Sequence, residues 1–259
     1  MKRLMLMILA LSMARSNLLG QEGDSTISTL LSKGLTFRAG IGSYALRDEF
    51  ISRETYSGPL PVYMLTWTDG APARISQMSF ELRAGSAIRN HNISASITEF
   101  AFSFDYLYPV GKFTFLSHDV SAYLGPSPDF FVHFRSQNIA KGGSAITRAY
   151  SVAMLFSAGA VLTFLTPLNE SLLADASFES NVLSFGGRIV NPDDSDESFV
   201  KPLTPFSGLR FKSDAGLRYE VSSRLHVRLS YRFELSRIDA WDYFISGSDM
   251  GVLSLHYRF

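Results

Sequence analysis

Two stretches of this chain alternate so strictly that they admit a single local structure. Over 225–235, Leu225, Val227, Leu229, Tyr231, Phe233 and Leu235 share one parity, while His226, Arg228, Ser230, Arg232 and Glu234 share the other. Over 99–108, Phe100, Phe102, Phe104, Tyr106 and Tyr108 oppose Glu99, Ala101, Ser103 and Asp105. Successive side chains of an extended chain point to opposite faces, so each run is a strand with one apolar and one polar side. The closing stretch "GVLSLHYRF" repeats the pattern, with Leu253, Leu255, Tyr257 and Phe259 opposite Ser254, His256 and Arg258, and it stops in mid-strand on an aromatic ring.

Extending this reading from Gly34 predicts ten strands, near 35–46, 60–67, 75–84, 96–107, 112–124, 148–164, 170–182, 208–221, 225–235 and 249–259. The second is the least regular, since it carries Pro59 and Pro61 at its start. Short turn-like connections at Thr68–Ala71, Tyr108–Lys112, Thr166–Glu170 and Val221–Arg224 are rich in the residues that turns select. They alternate with long polar excursions over Arg47–Pro59, Gly85–Ser94, Gly125–Ile146, Ser184–Pro205 and Ser236–Ser248. An even strand count with alternating short and long connections predicts an all-β, antiparallel, up-and-down transmembrane β-barrel of ten strands, eight or twelve being the neighbouring even counts.

Composition narrows what such a chain does. Lys plus Arg equal Asp plus Glu at 24 each, so no net field recruits nucleic acid. There is no cysteine, which excludes a disulfide framework, a thiolate metal site and a cysteine nucleophile. Lys2 and Arg3 precede an apolar stretch from Leu4 to Met13, so residues 1–20 read as an export signal, 21–34 as a short periplasmic segment and 35–259 as the barrel domain. The apolar run from Ser151 to Pro167 is too short to cross a bilayer as a helix.

The aromatic terminus at Phe259, with Leu253, Leu255 and Tyr257 on its face, resembles the C-terminal recognition strand of bacterial outer-membrane β-barrel proteins. The resemblance implies the cell outer membrane as destination, its lipids as surroundings and the barrel-assembly machinery as a partner during insertion. It implies no cofactor. Aromatic residues beside the short turns, Trp67, Tyr106, Tyr108, Phe113, Phe164, Tyr219, Tyr257 and Phe259, fit the interfacial girdle of such a barrel.

With the apolar parity outside, the lumen receives Arg38, Arg83, Arg210, Lys212, Arg218, Arg228, Arg232 and Arg258 against Glu81, Glu99, Asp105, Asp175, Glu179, Asp214, Glu220 and Glu234. A buried unpaired charge is costly, so this balanced set is expected to pair across a narrow interior and fill it. A wide pore, which takes about sixteen strands or more, is excluded. The expected function is a non-enzymatic scaffold, loop-mediated binding protein or narrow conduit; the alternative is a lipid or peptide hydrolase at the rim. For that alternative, His118 and Asp119 are adjacent on a strand and point apart, and Asp193 with Asp194 lacks a following Asp-x-His, so no catalytic set is assigned. The acidic tract Asn191–Glu197 lacks the glycine and distal glutamate of a calcium loop and reads as a solvated tip, leaving no metal site. The stretch Pro128–Phe134, with Phe130, Phe131 and Phe134, reads as a strand continuing above the membrane.

Overall fold

The structure, a computed structural model, describes residues 33–49, 51–71, 73–90, 93–141, 145–190, 199–239 and 243–259. The export signal, the acidic tract 191–197, His91 and Asn92 lie outside the described residues. Among the described residues every regular element is a strand: β1 (Gly34–Asp48), β2 (Ser52–Ala71), β3 (Arg74–Asn90), β4 (Ile93–Phe115), β5 (His118–Lys141), β6 (Ala145–Pro167), β7 (Leu172–Val190), β8 (Phe199–Leu203), β9 (Gly208–Ser222), β10 (Leu225–Asp239) and β11 (Tyr243–Arg258). All neighbours are antiparallel, and β1 pairs with β11 from Gly34↔Arg258 to Asp48↔Phe244, which closes the sheet into a barrel. Closure leaves the wall without an outer edge.

The wall has ten staves because β8 and β9 are two pieces of one. Both run against β7, β8 at Ser184–Arg188 and β9 at Leu172–Ser180. The chain leaves the wall between them in a turn in which Ser207 N–H and Gly208 N–H both donate to Thr204 O. Asn181 patches the break: its side-chain amide donates to Gly208 O and Ser184 Oγ, and its Oδ1 accepts from Arg210 N–H at 2.6 Å. Buried backbone groups need partners, and here one side chain stands in for the missing ladder.

Three expectations need correction. The stretch Tyr108–Lys112 is not a turn. It is a bulge between Pro109 and Gly111, and β4 continues to Phe115 before turning at Leu116–Ser117. The five polar excursions are mostly strand as well: β5 spans 24 residues and β6 spans 23 residues, well past the nine to eleven or so that cross a bilayer. Third, β2 starts at Ser52 and carries both prolines in its interior. There its ladder to β3 is interrupted between Ser57 and Val62 while pairing to β1 persists, so the missing proline N–H groups face a gap that needs no donor.

The excursions hid their strands because the wall reverses polarity along its length. Near the short turns β1 puts Leu35, Phe37 and Ile41 outside and Thr36 and Arg38 inside. Toward the other end it buries Tyr44 and Leu46 and turns Ser43 and Arg47 outward. Tyr44, Leu46, Tyr56, Leu60, Ile88, Ile97, Phe131, Leu155, Leu203, Ile238 and Phe244 join into an apolar core inside that far end. A smaller group, Ile75, Leu107, Tyr123, Val161, Leu165 and Leu173, lies within the short-turn half.

Candidate functional site

Between the two apolar groups the lumen is crossed by ion pairs. β3 and β10 stand four places apart around the wall, so a contact between their inward side chains spans the interior. Arg83 pairs with Glu81 at 2.6 Å, with Glu99 at 3.7 Å and with Glu234, and Nη1 donates to Ser248 Oγ at 2.9 Å. Arg232 bridges the same two acids, reaching Glu81 at 2.6 Å and Glu234. Two guanidinium groups and two carboxylates thus form a ring, and planar forked donors suit this sharing.

Two further clusters flank it. Arg228 grips Asp175 through Nε at 2.9 Å and Nη2 at 2.5 Å, and reaches Asp214 at 2.5 Å, with Arg38 on Asp214 at 3.4 Å. Asp129 takes Arg210 and, at 2.8 Å, Lys212, whose ammonium also meets Glu179 at 2.8 Å. Among the expected lumen residues, Asp105 accepts from Ser127 Oγ at 2.5 Å and has no ion pair among those described. Arg218 and Arg258 sit in the last rows before the short turns, beside the paired rings of His226 and His256 at 5.5 Å. A cavity of about 90 Å³ remains between the clusters, lined by Gln77, Ser79, Ser103, Asp105, Glu179 and Arg232 among others. That is room for several ordered waters.

Above the lattice the charges thin out and are packed against rings. Glu99 accepts from Tyr44 Oη at 2.5 Å and sits 2.9 Å from His133 Nδ1. Arg210 lies 4.6 Å over Phe131, and Arg135 lies 4.3 Å over Tyr56 with Nη2 donating to Gln137 at 2.5 Å. Highest of all, Arg188 pairs with Asp48 at 2.6 Å, and Ser151 Oγ donates to the same carboxylate at 2.6 Å. Burial alone would raise the Asp48 carboxyl, but Arg188 and the Ser151 hydroxyl outweigh it and hold it below the ordinary carboxylate value.

Asp48, Arg135 and Arg188 belong to stretches expected to be loops, and Asp129 and His133 to Pro128–Phe134, which β5 does extend through as a strand; none of the five was in the expected inward set. The signal was present in Asp129, Phe131, His133, Arg135 and Gln137, which share one parity. Apolar residues stand on both sides there, Phe131 inside and Phe130 and Phe134 outside, so neither face looks distinct. Among the described residues, Glu99 and His133 form a histidine–carboxylate pair; His118 instead lies opposite Phe115, and Asp119 accepts from Thr114 Oγ1 at 3.3 Å. Among the described residues no group of three or more His, Cys, Asp and Glu side chains is placed to hold a metal.

The terminal residues lie on the outer surface. Leu253, Leu255, Tyr257 and Phe259 are each about half exposed, and Phe259 meets Trp67 with ring centroids 5.1 Å apart. Trp67 carries Lys33 over its ring at 5.6 Å. Tyr106 with Tyr108, and Phe113 with Phe164, continue an outward aromatic band.

A closed antiparallel barrel of ten staves with this polarity is the fold of bacterial outer-membrane β-barrels. The outer membrane protease OmpT from Escherichia coli superposes with a TM-score of 0.53 at 8% identity, over 88% of this chain and 99% of that one. The translocator domain of the autotransporter NalP from Neisseria meningitidis superposes with a TM-score of 0.51 at 11% identity, over 100% of this chain and 96% of that one. No protein-family model matches the chain, and no curated protein does.

Proposed function

We propose that the chain is a non-enzymatic, non-conducting barrel of the bacterial outer membrane. Its short-turn half spans the bilayer, and its far half stands outside as a water-exposed extension that presents a rim to binding partners. The observation that carries this reading is the reversal of polarity along β1 and its neighbours. Leu35, Phe37 and Ile41 suit a wall against hydrocarbon with a polar interior, whereas Tyr44 and Leu46 inside and Ser43 and Arg47 outside suit a wall against water.

A plugged interior follows from the same residues. The ion-pair lattice fills the spanning half and the apolar core around Phe244 seals the far half, so an ion would have to break several buried pairs and then cross a packed core. This favours the scaffold and binding reading over the conduit. Likeness to a protease and to a translocator domain speaks for neither activity, since one fold hosts many functions. The Glu99–His133 couple is almost fully buried, and a hydrolytic group must reach its substrate. The test is single-channel recording of the refolded full chain in planar bilayers. Insertion without stable, large current steps is expected, and reproducible open channels would overturn the reading.

A further inference from the structure

The β4–β5 hairpin stands out from the wall at the short-turn end. Pairing between β3 and β4 stops at Ile75↔Leu107, and pairing between β5 and β6 stops at Ser121↔Leu165. Beyond those rows, past the bulge at Pro109 and Gly111, Phe113–Phe115 and His118–Val120 pair only with each other. The tip breaks the usual chemistry of a two-residue turn. Leu116 and Ser117 have φ of 48° and 67°, both left-handed, a pattern for which asparagine and glycine are the suited residues.

A branched apolar side chain in that conformation is strained, and none of the described residues packs over it. Leu116 is 78% exposed and Phe115 is 62% exposed. The apolar tip is therefore left uncovered by the described wall. The surroundings that suit it follow from orientation. Phe113 meets Phe164 of β6, with ring centroids 6.2 Å apart, and Phe164 meets Phe178 at 6.5 Å, so the apolar side of the hairpin continues the outward aromatic band. The opposite side carries Lys112, Thr114 and Asp119, with Thr114 bonded to Asp119. An amphipathic hairpin whose apolar side is coplanar with a lipid-facing wall fits the boundary between headgroups and acyl chains, where aromatic rings are favoured.

We propose that the Phe113–Phe115–Leu116 tip is an interfacial anchor seated in the periplasmic phospholipid leaflet. The proposal rests on the membrane reading above and names a lipid contact that reading does not require. The chain has no cysteine, so a single substitution gives a unique spin label. Labels at Ser117→Cys, at Leu229→Cys on the apolar wall and at Thr55→Cys on the far-end wall are compared after reconstitution of the full chain into phosphatidylethanolamine–phosphatidylglycerol vesicles. Relaxation by oxygen reports lipid, and relaxation by a water-soluble nickel chelate reports solvent. The Ser117 label is expected to lose most of the nickel relaxation that Thr55 shows, and to regain it when Leu116→Asn is added. If Leu229 is in lipid while Ser117 matches Thr55, the anchor is overturned and the spanning barrel stands. If Leu116→Asn leaves a lipid-seated Ser117 label unmoved, the role given to Leu116 is overturned. A solvent-exposed Leu229 label overturns the membrane reading and the anchor with it.

Discussion

Phe259 reaches past β1 to place its ring 5.1 Å from that of Trp67 on β2, so the last residue of the chain touches the strand beyond its own partner. The contact complicates any test of Phe259 as an assembly signal, because removing the ring also removes packing at the closing seam. An aromatic pair contributes about 0.5–1.5 kcal/mol beyond area burial, small for a barrel of this size. Both Phe259→Ser and Trp67→Ala delete the pair, yet only the first alters the terminus. Insertion into the outer membrane, scored by heat-modifiable gel migration, is expected to fall severely for Phe259→Ser and only slightly for Trp67→Ala. Equal yields for the two variants would mean that the terminus acts through packing alone.

The ring of Arg83, Arg232, Glu81 and Glu234 predicts a large asymmetry between buried and surface pairs. Glu234 serves both guanidinium groups within the lumen, so Glu234→Gln leaves buried positive charge poorly matched, a loss of about 3–5 kcal/mol. Arg237 and Asp239 pair at 3.2 Å on the outer wall with both side chains more than a third exposed, and Arg237→Gln is expected to cost about 0–1 kcal/mol. Urea unfolding of the reconstituted barrels reads both. A Glu234→Gln midpoint as mild as that of Arg237→Gln would show that water enters the lumen freely.

The staves differ in how much of them the amino-acid order revealed: β1, β6, β9 and β10 were legible almost end to end, whereas β2 and β5 were legible only in their short-turn parts. On β1, Leu35, Phe37 and Ile41 alternate with polar neighbours as a membrane wall does. Tyr44 and Leu46 share a parity with Thr36 and Arg38, and a search for one continuous outward apolar stripe ends where they begin. The same loss of contrast hid Asp129 and Arg135 among phenylalanines. Punctuation misled in a second way: Pro109 and Gly111 mark a bulge, whereas the true turn uses Leu116 and Ser117, with neither glycine nor asparagine at its left-handed positions. The inward charges were recoverable because nothing but a filled lumen needs so many of both signs on one parity.

Asn181 predicts the strength of the broken stave. Its Oδ1 is the acceptor for the buried Arg210 N–H, so Asn181→Ala orphans that group, whereas Gly208 O keeps Ser184 Oγ as a donor at 2.9 Å. An unsatisfied buried backbone group costs about 1–3 kcal/mol. Asn181→Ala is expected to lower the unfolding midpoint and to speed amide exchange at Arg210 while leaving the β1–β11 seam protected. Unchanged exchange at Arg210 would mean that the ladder closes there without the side chain.

Asp48 sets the response of the far end to acid. The outward side chains at its height are Arg47, Glu49, Arg237 and Asp239, so this part of the wall stands in water and its titration is that of a soluble protein. Arg188 and Ser151 hold the folded carboxyl below its unfolded value, and the sign follows: the unfolded chain takes up the proton first. The contribution is therefore fully present above the unfolded value of about 4 and is lost as pH falls through the folded one. Neutral to mildly acidic solutions leave it intact, and only stronger acid releases the Asp48–Arg188 contact that ties β1 to β7. Amide exchange at Leu46 and Arg188, followed from pH 7 downward, is expected to stay slow until the unfolded value is passed and then to accelerate. In Asp48→Asn it should be faster at neutral pH and nearly flat below. Identical acid profiles for the two proteins would remove Asp48 as the group that governs the far end.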